Sequence, residues 1–192
     1  TWLRFVKGVI DSSDLPLNVS REILQQNKVM AKIKSNSVKK VLDKIKTIAK
    51  NKDKYEGFYN EFGRLLKEGV YQEFEHKEAL TELLRFKSTK EDGFVSLQEY
   101  VDRMGSDQES IYYITGTNEL ALRNSPLLEM YKKNDIEVLI LDDEIDEIIM
   151  PSVPIFKEKS LKSVNRSGAA DELNKDDSKD KKDELKPLIK KV

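Results

Sequence analysis

From Ser20 to Lys50 the chain contains neither glycine nor proline, and Leu24, Met30, Ile33, Val41, Leu42, Ile45, Ile48 and Ala49 recur at intervals that are mostly threes and fours. This spacing predicts one long amphipathic helix whose apolar stripe needs a surface to lie on. The opposite face carries eight lysines against Asp43 alone between Lys28 and Lys50. Such a run reads first as a solvated face and, as the alternative, as a surface for phosphate or an acidic partner.

Shorter helical patterns follow in "KDKYEGFYNEFGRLLKEG", "HKEALTELLRF" and "SLQEYVDRM". In the first, Tyr55, Phe58, Tyr59, Phe62 and Leu65 form an aromatic stripe that reads as core, since base stacking would need a basic groove and acids and bases here nearly balance. The pattern changes at Ile111. "IYYIT" and "IEVLILDD" are β-branched and aromatic runs separated by the helix-like "NELALRNSPLLEMYKKND", which predicts a parallel strand–helix–strand unit. Asp142, Asp143, Glu144, Asp146 and Glu147 follow the second strand. They stand where α/β folds often bind ligands, so Mg²⁺ is one reading; the other is that acids suit the first turn of a helix through its dipole.

At the amino end, "TWLRFVKGVID" puts Leu3, Phe5 and Val9 on one face and Trp2, Val6 and Ile10 on the other, which predicts a strand with both faces covered. Few other strands are in view before residue 111, so its sheet is expected to belong to a part of a longer protein. A start without Met points the same way. From Ser167 to Val192 apolar periodicity collapses into seven acids and seven lysines, a charge-balanced linker or exposed helix.

Composition removes several classes of function. The 34 Lys and Arg residues nearly cancel 35 Asp and Glu, so no overall field argues for nucleic acid. There is no cysteine, hence no disulfide, thiolate metal site or Cys nucleophile. The single His76, beside Glu73 and Glu75, reads as a solvated residue near a helix start. No apolar run approaches the length of a membrane span, the first residues do not read as a signal peptide, and no glycine-rich nucleotide loop, hydrolase elbow or zinc spacing occurs. The metal expectation is therefore none.

One residue is out of place electrostatically. Arg21 in "DLPLNVSREILQQNK" stands in the first turn of the long helix, where a cation costs about 0.3–1 kcal/mol against the dipole. Either it points to solvent or pairs with Asp14 or Glu22, or the helix start and the guanidinium together hold an anion such as phosphate.

The stretch "FVKGVIDSSDLPLNVSREILQQNK" resembles the middle domain of heat-shock protein 90 chaperones, in their bacterial HtpG branch. "EFGRLLKEGVYQEF", "LLRFKST", "SLQEYVDRM", "IYYITG", "SPLLEMYKK", "IEVLILDDEIDE" and "LKSVNRS" continue the resemblance in order, over about residues 3 to 166. It implies an α/β protein: a long amphipathic helix and small helical bundle joined to a small three-layer αβα subdomain with a short, mainly parallel sheet. Residues 1–19 would be the last strand of a larger middle subdomain plus the catalytic loop, 20–105 the long helix and connecting bundle, and 106–166 the αβα subdomain. Residues 167–192 would lead to a C-terminal dimerisation domain.

The resemblance also assigns roles. Arg21 matches the loop arginine that reaches the γ-phosphate of ATP held by the amino-terminal domain, Gln25 matches a second active-site residue, and Asn18 is expected to shape or cap the loop. ATP and Mg²⁺ would belong to the full-length protein, with none bound by this piece alone. Its partners would be the amino-terminal ATP-binding domain and unfolded or partly folded client proteins. The parent would be a homodimer and this piece a monomer in the cytoplasm, with no nucleic acid and no membrane. Two functions follow: a component of an ATP-driven chaperone that is inactive by itself, or a non-catalytic module that binds unfolded or partner proteins.

Overall fold

The structure, a computed structural model, describes residues 2–11 and 28–166. The chain divides after Leu84 into two compact units.

The first unit is helical. Helix α1 (Lys28–Ala49) is followed by α2 (Lys52–Gln72) and α3 (Lys77–Leu83). The apolar stripe of α1 buries Leu42 and Ile45 and packs on α2 and α3, while Lys28, Lys32, Lys39, Lys40 and Lys44 stay exposed. Asn51 caps α2 by accepting from the Lys54 amide at 3.0 Å, one of the donors a helix start leaves open. The aromatic stripe of α2 is core: Tyr55 and Tyr59 are buried, and the Tyr55 hydroxyl donates to the Leu83 carbonyl at 2.5 Å.

The expected amino-terminal strand is absent. Residues 2–5 form a turn, closed by the Val6 amide donating to the Leu3 carbonyl at 3.0 Å, and residues 6–11 have no regular structure. Strand-forming residues need a neighbouring strand to satisfy the backbone, and none lies beside this segment among the described residues. Trp2 and Phe5 pack on the helices instead.

The second unit is a five-stranded sheet in the order β1-β3-β2-β5-β4, with β1 at Lys87–Ser88, β2 at Ser110–Thr115, β3 at Val138–Leu141, β4 at Ile155–Phe156 and β5 at Lys159–Ser163. The three central strands run parallel, and β1 and β4 close the edges antiparallel. Helix α4 (Leu97–Arg103) begins with a capping box between Ser96 and Glu99. Between β2 and β3 the chain forms α5 (Glu119–Arg123), a 3₁₀ turn at Pro126–Leu128 and α6 (Glu129–Lys133); α7 (Glu144–Ile149) follows β3. Tyr112, Ile114, Val138 and Ile140 meet Leu122, Leu128 and Tyr131 on one face of the sheet. Ile111, Tyr113, Leu139 and Leu141, which alternate with them, are buried too, so both faces are covered as the near-continuous apolar runs require.

This mixed α/β architecture is the expected fold class, with β1, β4 and β5 added. Strands β1 and β4 are two residues long, too short for a periodic signal. Because β1 pairs with β3, residues 85–105 go with the sheet, so the division falls earlier than the expected boundary after residue 105.

The two-residue hairpin turn between β4 and β5 places Lys157 at φ 45° and Glu158 at φ 66°, left-handed backbone that side chains other than glycine and asparagine resist. Glu158→Gly should stabilise the chain by about 0.5–1 kcal/mol, read as a higher urea midpoint with an unchanged slope.

Candidate functional site

The three site residues expected from the sequence, Asn18, Arg21 and Gln25, lie outside the described residues, as do Asp14 and Glu22. What the structure describes is the ground on either side of that loop, and both sides belong to the helical unit.

On the amino side, the Trp2 indole is buried and packs against α2 at Gly69. A Cβ at Gly69 would meet Trp2 Cδ2 at 2.9 Å and Leu80 Cδ1 at 3.1 Å, so the indole occupies space that only glycine leaves open. Phe5 stacks on Phe62 with ring centroids 4.7 Å apart and meets Phe58 edge-on at 5.9 Å. The Arg4 guanidinium donates through both terminal nitrogens to the Glu68 carboxylate, one bond to each oxygen. That hydrogen bond, chiefly, holds the Glu68 carboxyl below its ordinary value, and burial opposes it. On the carboxyl side, α1 starts among the described residues at Lys28, packed on the same two helices.

The second place examined by sequence, the carboxyl edge of β3, is occupied by ion pairs and a helix cap. Lys87 Nζ sits 2.7 Å from Asp142 Oδ2 and 2.7 Å from Glu119 Oε2, and Glu119 also takes Arg123 Nε at 2.8 Å. These cations hold the Glu119 carboxyl below its usual range, Lys87 contributing most. Asp143 caps α7, and Glu144, Asp146 and Glu147 fall in its first turn, where the dipole favours acids. Among the described residues no group of three or more His, Asp or Glu side chains is placed to hold a metal ion. The acids of this cluster stand where the helix dipole and Lys87 favour them.

A polar network that the sequence did not reveal lies on the other side of the sheet unit. Glu137 is buried, and its carboxylate accepts from Arg103 Nε at 2.9 Å, Arg103 Nη2 at 2.7 Å and Ser88 Oγ at 2.5 Å. The Tyr100 hydroxyl donates to the Glu137 carbonyl at 2.5 Å and accepts from the Tyr112 amide at 3.1 Å. Burial pushes the Tyr100 hydroxyl pKa far up, so it serves as a neutral donor. Every member has a partner, which makes this a brace for β1, α4, β2 and β3 rather than a reactive centre. The signal in the sequence was slight: one acid immediately before an apolar strand. Gly69 was the more legible sign, since glycine inside a helix pattern implies close approach of another group.

Comparison with known proteins supplies the context. The family model described as Hsp90 protein matches residues 1–192. The Chaperone protein HtpG of Treponema denticola is 53% identical over all of this chain, and that of Aliarcobacter butzleri 59% identical over 85% of it. The chain spans 31% and 26% of the lengths of these two curated relatives. The middle domain of a Plasmodium falciparum heat shock protein superposes with a TM-score of 0.68 at 33% identity, covering 74% of this chain and 61% of that one.

The anchor ahead of the loop yields two tests. Gly69→Val should cost about 2 kcal/mol, because overpacking against a ring that cannot swing aside outweighs the gain in helix propensity, and emission from Trp2, the chain's only tryptophan, should shift to the red. The Glu68 tether has a depressed carboxyl pKa, so its contribution is present above the ordinary value of 4.5 and is lost as the pH falls through the depressed value. The stability difference between wild type and Glu68→Gln, from urea titrations at steps between neutral and strongly acid pH, should be largest at neutral pH and vanish below that window.

Proposed function

The chain belongs to the Hsp90 protein family, and on that premise we propose that it is the middle portion of an ATP-dependent molecular chaperone of the bacterial cytoplasm. The observation that carries this reading is the match itself: half or more of the residues are identical to bacterial proteins named chaperone HtpG, along the whole chain or most of it, without a change of fold class from a heat-shock middle domain. Among the described residues no helix is long and apolar enough to cross a membrane.

In this proposal ATP and Mg²⁺ are held by the amino-terminal domain of the same protein. The acids after β3 pair with Lys87 or stand at the start of α7. The part left to this chain is a guanidinium. Arg21 contributes a planar, permanently charged fork that can bind phosphate oxygens and neutralise charge that grows on them during phosphoryl transfer. Gln25, one helical turn on, contributes an amide that can bond the same oxygens or orient the loop, and Asn18 shapes the loop's approach. The anchors at Trp2, Phe5 and Arg4, with the packing of α1, hold both flanks of the loop on one helical unit, which supports a loop aimed at a partner domain. Dimerisation is assigned to the segment beyond Val192 and client binding to surfaces of this chain.

The test is Arg21→Ala in the protein carrying all its domains. ATP turnover should fall by roughly 10²-fold or more with nucleotide affinity nearly unchanged, since a contact that strengthens in the transition state is lost from kcat rather than Kd. Arg21→Lys should rescue little, because a point charge on a flexible stem does not reproduce the fork. Turnover within about twofold of wild type, with a thermal midpoint several degrees lower, would make Arg21 a structural ion-pair residue and favour the non-catalytic binding module.

A further inference from the structure

Helix α2 ends at Gln72, and its last turn together with the connection to α3 displays two large aromatic side chains. Phe74 is 95% exposed and Tyr71 65% exposed. A single exposed apolar residue is unremarkable in a folded protein, but two aromatic rings three residues apart at one tight turn are a different case. This helical unit has aromatic partners to offer, since Tyr55, Phe58, Tyr59, Phe62 and Phe5 form a continuous set of ring contacts, and the two rings at the turn take no part in it.

The charge around the rings says what they suit. Glu73, Glu75 and Glu78 flank them, and among the described residues none of these three side chains forms an ion pair or hydrogen bond. Lys77 is the one fixed cation within the turn, so the corner is locally acidic in a helical unit whose α1 face is strongly basic. A partner rich in acids would meet repulsion here. A lysine or arginine would be drawn to the carboxylates and could lie on a ring face, while a neighbouring aliphatic or aromatic side chain would cover the other ring.

We infer that the turn between α2 and α3 is a docking point for unfolded polypeptide segments that combine an apolar side chain with adjacent lysine or arginine. The inference rests on the chaperone reading and deepens it by naming a place and a chemistry for the client. Phe74 is the anchor, Tyr71 widens the apolar contact, and the three carboxylates select for cationic neighbours.

The experiment uses a short fluorescein-labelled peptide of leucine, phenylalanine and lysine, and a second in which glutamate replaces every lysine, titrated by anisotropy against this chain. The lysine peptide should bind at least about tenfold more tightly, and the preference should weaken as salt is raised. Phe74→Ser should weaken binding by about tenfold with the thermal midpoint unchanged, because the ring it removes is exposed. Glu73→Lys with Glu75→Lys should transfer the preference to the glutamate peptide. Equal affinity for the two peptides, or binding indifferent to both sets of changes, overturns the proposal. So does loss of self-association in Phe74→Ser by light scattering, which would make a second copy of the chain the occupant. Suppression of aggregation of a heat-denatured substrate, measured in parallel with the protein carrying all its domains, separates the two levels. If wild type and Phe74→Ser suppress equally, the chaperone reading stands and this docking point falls; if the wild type neither suppresses aggregation nor binds peptide, both fall.

Discussion

An indole packed where a helix carries a glycine holds the amino-terminal segment of this protein to its helical unit. Trp2 reaches van der Waals contact with the backbone of α2 because residue 69 has no side chain. Glycine inside a helix costs about 1 kcal/mol relative to alanine, and here the cost is offset by burial of an indole, a side chain worth several times that in apolar area. The turn that carries Trp2 also carries Phe5 onto Phe62 and Arg4 into its forked pairing with Glu68. The segment ahead of the candidate loop is thereby docked by side chains, without a sheet.

The sheet unit rests on a different kind of constraint, a carboxylate taken out of water. Glu137 would be costly at its burial unless fully paired, and Arg103 and Ser88 fill its oxygens while Tyr100 binds its carbonyl. These partners come from α4 and the edge strand β1, so satisfying one charge also fixes where a helix and a two-residue strand must lie. The ion pairs of Lys87 at the carboxyl edge of β3 are more exposed and act as a local clasp.

These two constraints bear on function by separating jobs. The proposed chemistry asks for one guanidinium delivered to a phosphate that another domain holds, and such a group needs firm flanks more than a pocket of its own. Client capture asks for the reverse, apolar side chains left uncovered. The helical unit has both features: rings locked together beside Trp2, and rings left in solvent at the turn after α2. The proposal assigns the ATP site and dimer contacts to other segments and leaves the loop and the client surface to this one helical unit.

Sequence by itself determined the helices, the strands β2 and β3, and the family. The periods of α1 and α2 are sustained over many residues, and the runs at 111–115 and 138–141 are apolar on both faces, so local patterning was sufficient to read them. The roles proposed for Asn18, Arg21 and Gln25 come only from the ordered resemblance, because a cation at a helix start has two physical readings that local chemistry does not separate. Tertiary structure decided the rest. Residues 2–11 have the composition of a strand but, among the described residues, no strand to pair with, and side-chain packing on α2 took over. The short strands β1 and β4 exist because β3 and β5 offer them open edges, not because two residues prefer to be extended. The acids after β3 became ion pairs and a helix cap because Lys87, 55 residues away in sequence, arrives among them. Contacts between residues so far apart carry no periodic trace along the chain, which is the physical reason they appear only when the chain is folded.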